Sequence, residues 1–120
     1  MAKFSLKNRL KSFTHAFRGI GLLVKNEHNS WIHIFASILV VILGFYYQIN
    51  NYEWFAIILS IGIVLMAETF NSAIEELSDK VESKQDTKIK NTKDLAAGAV
   101  LIAAIMAIVI GCIIFIPKIF

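Results

Sequence analysis

Several polar side chains that could do chemistry follow one another at helical spacing. Glu68, Asn71 or Ser72, and Glu75 recur at steps of three and four residues, and Asp79 follows after another turn. On a helix these side chains share one face. A row of carboxylates with an amide suits a hard cation such as Mg²⁺, which takes oxygen ligands and usually keeps waters and nucleotide phosphates in its shell. The alternative is the polar end of a helix that emerges into water.

Glu68 favours the functional interpretation because its neighbours are apolar. Met66 and Ala67 precede it and Phe70 follows it, near the far end of an apolar stretch. An ionisable group at membrane depth is costly and marks a functional site by default. We therefore take Glu68 as the first candidate site residue.

The elements that must position these residues are apolar stretches long enough to cross a membrane. Of the 120 residues, 57% are hydrophobic and 18% are charged, whereas a soluble domain has about 45–50% and about 25%. Stretches at 31–49, 54–70 and 95–116 approach the roughly 20 residues that a membrane-spanning helix needs. We predict an all-α membrane protein with one integral-membrane domain over 1–120. A soluble bundle with buried helices is the alternative, and it leaves too little polar surface for a monomer in water.

Two further features narrow the class of protein. The single cysteine, Cys112, lies in an apolar run, which excludes a disulfide framework or a cysteine-ligated metal site within one chain. No apolar run precedes residue 31, so we expect no cleavable signal peptide.

The segment at about 4–26 is predicted to be an amphipathic surface helix. Its apolar residues recur mostly at steps of three and four: Phe4, Leu6, Leu10, Phe13, Phe17, Ile20 and Val24. Basic residues lie off this stripe and no acidic residue precedes Glu27, so the helix suits the surface of an anionic leaflet. It serves either as an anchor alone or also as a cover over a site at the membrane face.

The basic residues predict the orientation of the chain in the membrane. Most of them lie before the first span or between the second and third: Lys3, Lys7, Arg9, Lys11, Arg18, Lys25, Lys80, Lys84, Lys88, Lys90 and Lys93. The N-terminus and the middle loop are therefore predicted to be cytoplasmic, and the link 50–53 and the C-terminus to lie outside. We therefore attribute the net charge of +3 to the basic residues that set the orientation of the chain in the membrane. Acidic residues are interspersed in the basic loop, so we expect no nucleic-acid partner.

This orientation brings the candidate residues to the inner membrane face. Glu27 precedes the first span, the run from Glu68 to Glu75 closes the second, and Lys93 with Asp94 opens the third. Carboxylates for metal, a carboxylate near the lipid boundary as a base, and a lysine to meet phosphate are parts that phosphoryl transfer needs. The phosphate-binding loop and the protein kinase motifs do not occur in the sequence.

The same residues resemble the signatures of the small bacterial integral-membrane lipid kinases, which include diacylglycerol kinase and undecaprenol kinase. The run 68–75, ETFNSAIE, followed by Asp79, is similar to the family pattern E-x-x-N-[ST]-A-I-E-x-x-x-D. The run 93–102, KDLAAGAVLI, resembles K-D-x-A-[AS]-[GA]-A-V-L-I, and Glu27 matches an acidic position before the first span. The resemblance extends from about Arg9 to about Ile114.

The resemblance implies a homotrimer of three-span subunits with a surface helix, and active sites shared between neighbouring subunits. It implies ATP with Mg²⁺ as the phosphoryl donor and a lipid hydroxyl as the acceptor. At the matching positions, Glu68 is implied to be the general base and Asn71 to orient groups near the transferred phosphate.

The nucleotide site is implied in the same way. Glu27 and Glu75 are implied to hold Mg²⁺, Asp79 to support nucleotide binding, and Lys93 and Asp94 to contact ATP. The segment 27–33, EHNSWIH, is similar to the E-x-N-x-x-I-H pattern of the undecaprenol kinase branch, which favours undecaprenol over diacylglycerol as acceptor. His33 is either a mark of that branch or an interfacial side chain.

Two other classes of protein stay open at this point. A small multidrug transporter also places a glutamate in the membrane, but near the bilayer midplane, whereas Glu68 lies near one end of its stretch. A non-catalytic membrane subunit or scaffold is the other alternative.

Overall fold

The fold consists of four helices in the computed structural model, which describes residues 5–26, 28–81 and 86–120. They are α1 (Leu6–Asn26), α2 (His28–Tyr46), α3 (Asn51–Val81) and α4 (Thr87–Ile119). α1 is amphipathic, whereas α2, α3 and α4 are each long and apolar enough to cross a membrane. The predicted all-α class, with one amphipathic helix and three apolar helices, is confirmed.

The turn between α2 and α3 begins earlier than the apolar stretch predicted. α2 ends at Tyr46, three residues before the end of the predicted stretch 31–49, and Gln48 then adopts a positive φ of 50° where the chain reverses. Asn50 and Glu53 then cap α3 reciprocally. The Asn50 side chain accepts from the Glu53 backbone N–H at 2.9 Å, and the Glu53 carboxylate accepts from the Asn50 N–H at 3.1 Å. This arrangement satisfies two amides that a helix start leaves unpaired.

α3 and α4 form an antiparallel pair that makes the most extensive contact in the fold. At the end near the α2–α3 turn, a small apolar core contains Ile49, Ile57, Ile114 and Phe115. The Lys118 ammonium lies 2.8 Å from a Glu53 carboxylate oxygen and joins the two helices at that end.

Small side chains let the same helices approach closely at the opposite end. Ala96 and Ala103 of α4 are buried, and close packing between membrane helices relies on small residues of this kind. The start of α4 is capped by Asp86, whose carboxylate accepts from the N–H groups of Lys88 and Ile89 at 2.8 and 3.2 Å.

α1 is attached to α2 and α3 near the end opposite the α2–α3 turn. Ser30 Oγ donates to the Leu23 carbonyl at 2.9 Å, and Trp31 Nε1 donates to the Val24 carbonyl at 2.5 Å. These bonds use carbonyls that the last turn of α1 leaves unpaired. They set the angle at which α1 leaves the bundle.

Candidate functional site

The centre of the site is a buried carboxylate paired with a histidine. Glu68 on α3 is 3% exposed, and His33 Nε2 on α2 lies 3.5 Å from its Oε2 atom. α2 and α3 are joined by a short turn, so the start of α2 and the later part of α3 lie at one level. A carboxylate removed from water needs close polar partners, because desolvation strongly disfavours its charge. His33 supplies one of them.

One turn further along α3, two buried oxygen atoms have no hydrogen-bond partner among the described residues. They are Asn71 Oδ1 and Ser72 Oγ. Asn71 is 8% exposed as a residue. A buried polar group without a partner costs roughly 1–3 kcal/mol. Such atoms at a candidate site are suited to a ligand that offers a donor or a cation.

A second polar group lies nearer the start of α4. Lys93 Nζ is 2.5 Å from Asp79 Oδ1, and Asp94 Oδ2 is 3.6 Å from Lys90 Nζ on the exposed side of α4. The hydrogen bond to Asp79 raises the pKa of Lys93, which precedes the apolar stretch 95–116, and the charges of Asp79 and Glu75 act in the same direction. Lys93 is therefore a fixed positive charge beside two carboxylates.

The sequence candidates thus form two groups along α3. Glu68 and Asn71 lie in the first group with His33, and Asp79 lies in the second with Lys93. Eleven residues separate Glu68 from Asp79, which corresponds to about 16 Å along a helix. Glu75 lies between the groups, and Glu27 lies outside the described residues.

The contact between His33 and Glu68 is the part of the site that sequence reasoning did not assign. The available signal was topological, because the start of the first span and the end of the second must lie at one membrane face. No periodicity within a single helix contains that information.

The described residues do not form a complete metal site, although some carry the oxygen ligands that Mg²⁺ would prefer. Within ranges 5–26, 28–81 and 86–120 there is no group of three or more His, Cys, Asp and Glu side chains placed to hold a metal. The carboxylate of Glu75 and the unpaired amide oxygen of Asn71 are ligands of the right chemistry. A Mg²⁺ ion held here would need further ligands from outside the described residues, from nucleotide phosphates or from water.

A cleft between α1 and α3 lies beside these residues. Its lining includes Gly19 and Leu23 from α1, and Thr69, Ser72 and Glu76 from α3. Its volume is about 200 Å³. α1 therefore covers the part of α3 that follows Glu68. This is the position expected if the amphipathic helix also covers a site at the membrane face.

The fold and the site together define an all-helical membrane protein with a buried carboxylate near the end of the apolar stretch 54–70. The family model for prokaryotic diacylglycerol kinase matches residues 14–115. The chain belongs to this family and is a lipid kinase.

Named relatives of the chain are kinases of two lipids. An undecaprenol kinase of Bacillus subtilis (strain 168) is 40% identical over 113 residues, which are 94% of this chain and 92% of the relative. A diacylglycerol kinase of Synechocystis is 30% identical over 111 residues, 92% of this chain and 63% of the relative. A diacylglycerol kinase of Escherichia coli (strain K12) is 28% identical over 115 residues, 90% of this chain and 94% of the relative.

Proposed function

We propose that this lipid kinase transfers the γ-phosphate of ATP to the hydroxyl of undecaprenol at the cytoplasmic membrane face, with Mg²⁺ on the nucleotide. The observation that carries the proposal is the burial of Glu68, at 3% exposure, beside His33 and near the end of the apolar stretch 54–70. A lipid hydroxyl reaches that depth without leaving the membrane, so acceptor and base can meet there.

In the proposed reaction, Glu68 acts as the general base. Its carboxylate takes the proton of the lipid hydroxyl while the hydroxyl oxygen attacks the γ-phosphorus. The bond from the γ-phosphorus to the bridging oxygen breaks, and ADP leaves with that oxygen. His33 holds the carboxylate in one orientation through the contact at 3.5 Å. A positioned base of this kind contributes about 10²–10⁴-fold to a rate.

The nucleotide is proposed to bind at the second polar group, with its γ-phosphate directed to the Glu68 carboxylate of a neighbouring chain. Asn71 orients the transferred phosphate and Asp79 supports nucleotide binding. On α4, Lys93 and Asp94 contact ATP, and the pairing of Lys93 with Asp79 keeps that lysine at the second polar group.

Glu75 and Glu27 are the proposed carboxylate ligands of Mg²⁺. A cation held there would supply positive charge to offset that of the phosphates. Glu75 lies on α3 between Asn71 and Asp79, so its carboxylate would be near the nucleotide site.

The orientation and the assembly are proposals of the same kind. The N-terminus is cytoplasmic, the C-terminus lies outside, and three chains form a homotrimer with shared active sites in the bacterial plasma membrane. Basic residues before α2 and between α3 and α4 support this orientation. The distance between the two polar groups on α3 supports sites completed by a neighbouring chain.

Undecaprenol is favoured as the acceptor by the identity to an undecaprenol kinase, 40% against 30% and 28% for the diacylglycerol kinases. The second candidate acceptor is diacylglycerol, which the family description favours. A transporter role has less support because Glu68 lies near the end of the apolar stretch 54–70 and not at its middle.

The test is phosphate transfer from labelled ATP with Mg²⁺, measured side by side on undecaprenol and on diacylglycerol in mixed micelles. We expect faster labelling of undecaprenol at equal mole fraction. Faster labelling of diacylglycerol would assign the other acceptor. Labelling of neither lipid by a folded, oligomeric preparation would contradict the proposed function.

A further inference from the structure

The face of α3 that carries Glu68 continues away from the site as the floor of an apolar groove. Ile57, Ile61 and Val64 lie on this face at steps of four and three residues, and Glu68 follows after four more. The groove lies between α2, α3 and α4 and has a volume of about 260 Å³. From Ile57 to Glu68 the helix rises about 16 Å.

The walls of the groove are mostly hydrocarbon. α4 contributes three small residues, Ala104, Ala107 and Gly111, together with Ile108, and a methyl group added at Gly111 would meet no atom within 4 Å. Ser37 and Ser60 also line the groove, but each hydroxyl donates at 2.7 Å to a carbonyl four residues earlier in its own helix. Their donors are therefore already used, and an apolar occupant leaves no polar group newly unpaired.

The groove meets the candidate base at one end. His33 belongs to the groove lining and its Nε2 atom lies 3.5 Å from Glu68 Oε2. A lipid alcohol whose hydroxyl is at Glu68 can therefore extend its chain directly past His33 into the groove.

We propose that this groove holds the hydrocarbon chain of a polyprenyl alcohol, with the hydroxyl at Glu68 and the first isoprene units between α2, α3 and α4. The proposal rests on the proposed function, because it takes Glu68 as the base. A single narrow groove accommodates one chain, and the spaces beside alanine and glycine accept the methyl branches of isoprene units. A diacylglycerol brings two unbranched chains instead.

A second groove, on another face of α3 and α4, has a different relation to the site. It includes Phe70, Asn71, Ala99 and Met106 in its lining and has a volume of about 380 Å³. A chain in that groove would bring its hydroxyl to the Asn71 amide and not to the His33–Glu68 pair. The first groove is therefore the one assigned to the acceptor.

The experiment compares acceptors of increasing length, from 3-methyl-2-butenol with one isoprene unit to undecaprenol with eleven, in the wild type and in Gly111→Leu. Leucine at 111 fills the part of the groove near Ile57 and leaves the region near His33 open. For long acceptors we expect kcat/KM to fall about tenfold or more, because each buried methylene contributes about 0.8 kcal/mol. We expect kcat/KM for the one-unit alcohol and KM for ATP to stay at wild-type values.

Cys112→Leu is the matched control. Cys112 is the exposed neighbour of Gly111, so a leucine there adds bulk outside the groove. It should keep the wild-type length profile. Gly111→Ala is a milder variant that has room to fold, and it should show a smaller loss confined to long acceptors.

The other outcomes contradict either the groove assignment or the proposed function. Equal losses for short and long acceptors, or no loss at all, would overturn the groove assignment. A changed oligomer size in Gly111→Leu, with an unchanged length profile, would show that a second copy occupies the groove. If the wild type phosphorylates none of the alcohols, it is the proposed function that fails, and not the groove assignment alone.

Discussion

At the scale of single residues, the proposed chemistry depends on a carboxylate that has almost no contact with water. Glu68 is 3% exposed and lies 3.5 Å from His33. A carboxylate removed from water depends on close polar partners. We expect His33 to be one of the partners that hold the proposed base in one direction.

Glu68→Gln keeps the volume of the side chain and removes its basicity. We expect kcat for lipid phosphorylation to fall by about 10²–10⁴-fold, because the hydroxyl loses its proton acceptor. The measurement is the initial rate of label transfer from ATP, with oligomer size checked by light scattering. A variant that assembles normally and keeps the wild-type rate would contradict the role of Glu68.

His33 offers a comparison of two substitutions. His33→Leu removes the imidazole that contacts Glu68. We expect kcat to fall roughly 10-fold to 100-fold, since a small misplacement of a catalytic group can cost about 10²-fold. His33→Gln puts an amide N–H near the position of Nε2 and should recover much of that loss. Both variants should leave KM for ATP unchanged.

The outcome that would oppose this role is equal activity in the two histidine variants at equal thermal stability. Stability has to be measured alongside the rates, because removing one partner of a buried pair also destabilises the fold. A purely structural histidine would lower the melting temperature without separating Leu from Gln in kcat.

At the scale of elements, the approach of α2 to α3 depends on one glycine. A Cβ atom built at Gly44 would lie 2.7 Å from Trp54 Cη2 and 3.0 Å from Cζ2. Those ring atoms cannot yield independently of the whole indole. The close approach near the α2–α3 turn also fixes how α2 and α3 run together as far as His33 and Glu68.

Gly44→Ala should therefore lower the free energy of unfolding, by about 1–3 kcal/mol for overpacking. The matched control is Gly62→Ala, where an added methyl meets nothing within 4 Å and where alanine is the better helix former. The measurement is the melting temperature of both variants in the same detergent. Equal melting temperatures would show that Trp54 moves aside without cost.

At the scale of the whole molecule, one chain leaves much apolar surface uncovered. Large side chains such as Ile58, Leu59, Ile105 and Ile108 are more than half exposed, and lipid or neighbouring chains must cover them. The two polar groups on α3 also lie about 16 Å apart, so one chain does not bring them together. A trimer with shared sites accounts for both observations.

Mixed oligomers test the sharing directly. Glu68→Gln and Lys93→Ala should each be inactive alone, but co-assembled chains should recover part of the activity if base and lysine of one site come from different chains. The matched control mixes chains that carry Glu68→Gln with chains that carry Asn71→Ala. Both residues lie on α3, so one chain supplies both to a site and we expect no recovery from this mixture. Lack of recovery in co-purified mixtures of the first pair would assign each site to a single chain.

The sequence by itself determined the four helices and the face of α3 on which the candidate residues lie, because hydropathy and helical periodicity are local properties of the chain. It also determined the family, since the run 68–75 and the run 93–102 are contiguous patterns. Only the tertiary structure decided that His33 contacts Glu68, that Lys93 contacts Asp79 and that Trp54 packs on Gly44. Those contacts depend on how separate helices cross. For residues on different helices, the spacing along the chain does not determine the distance in space.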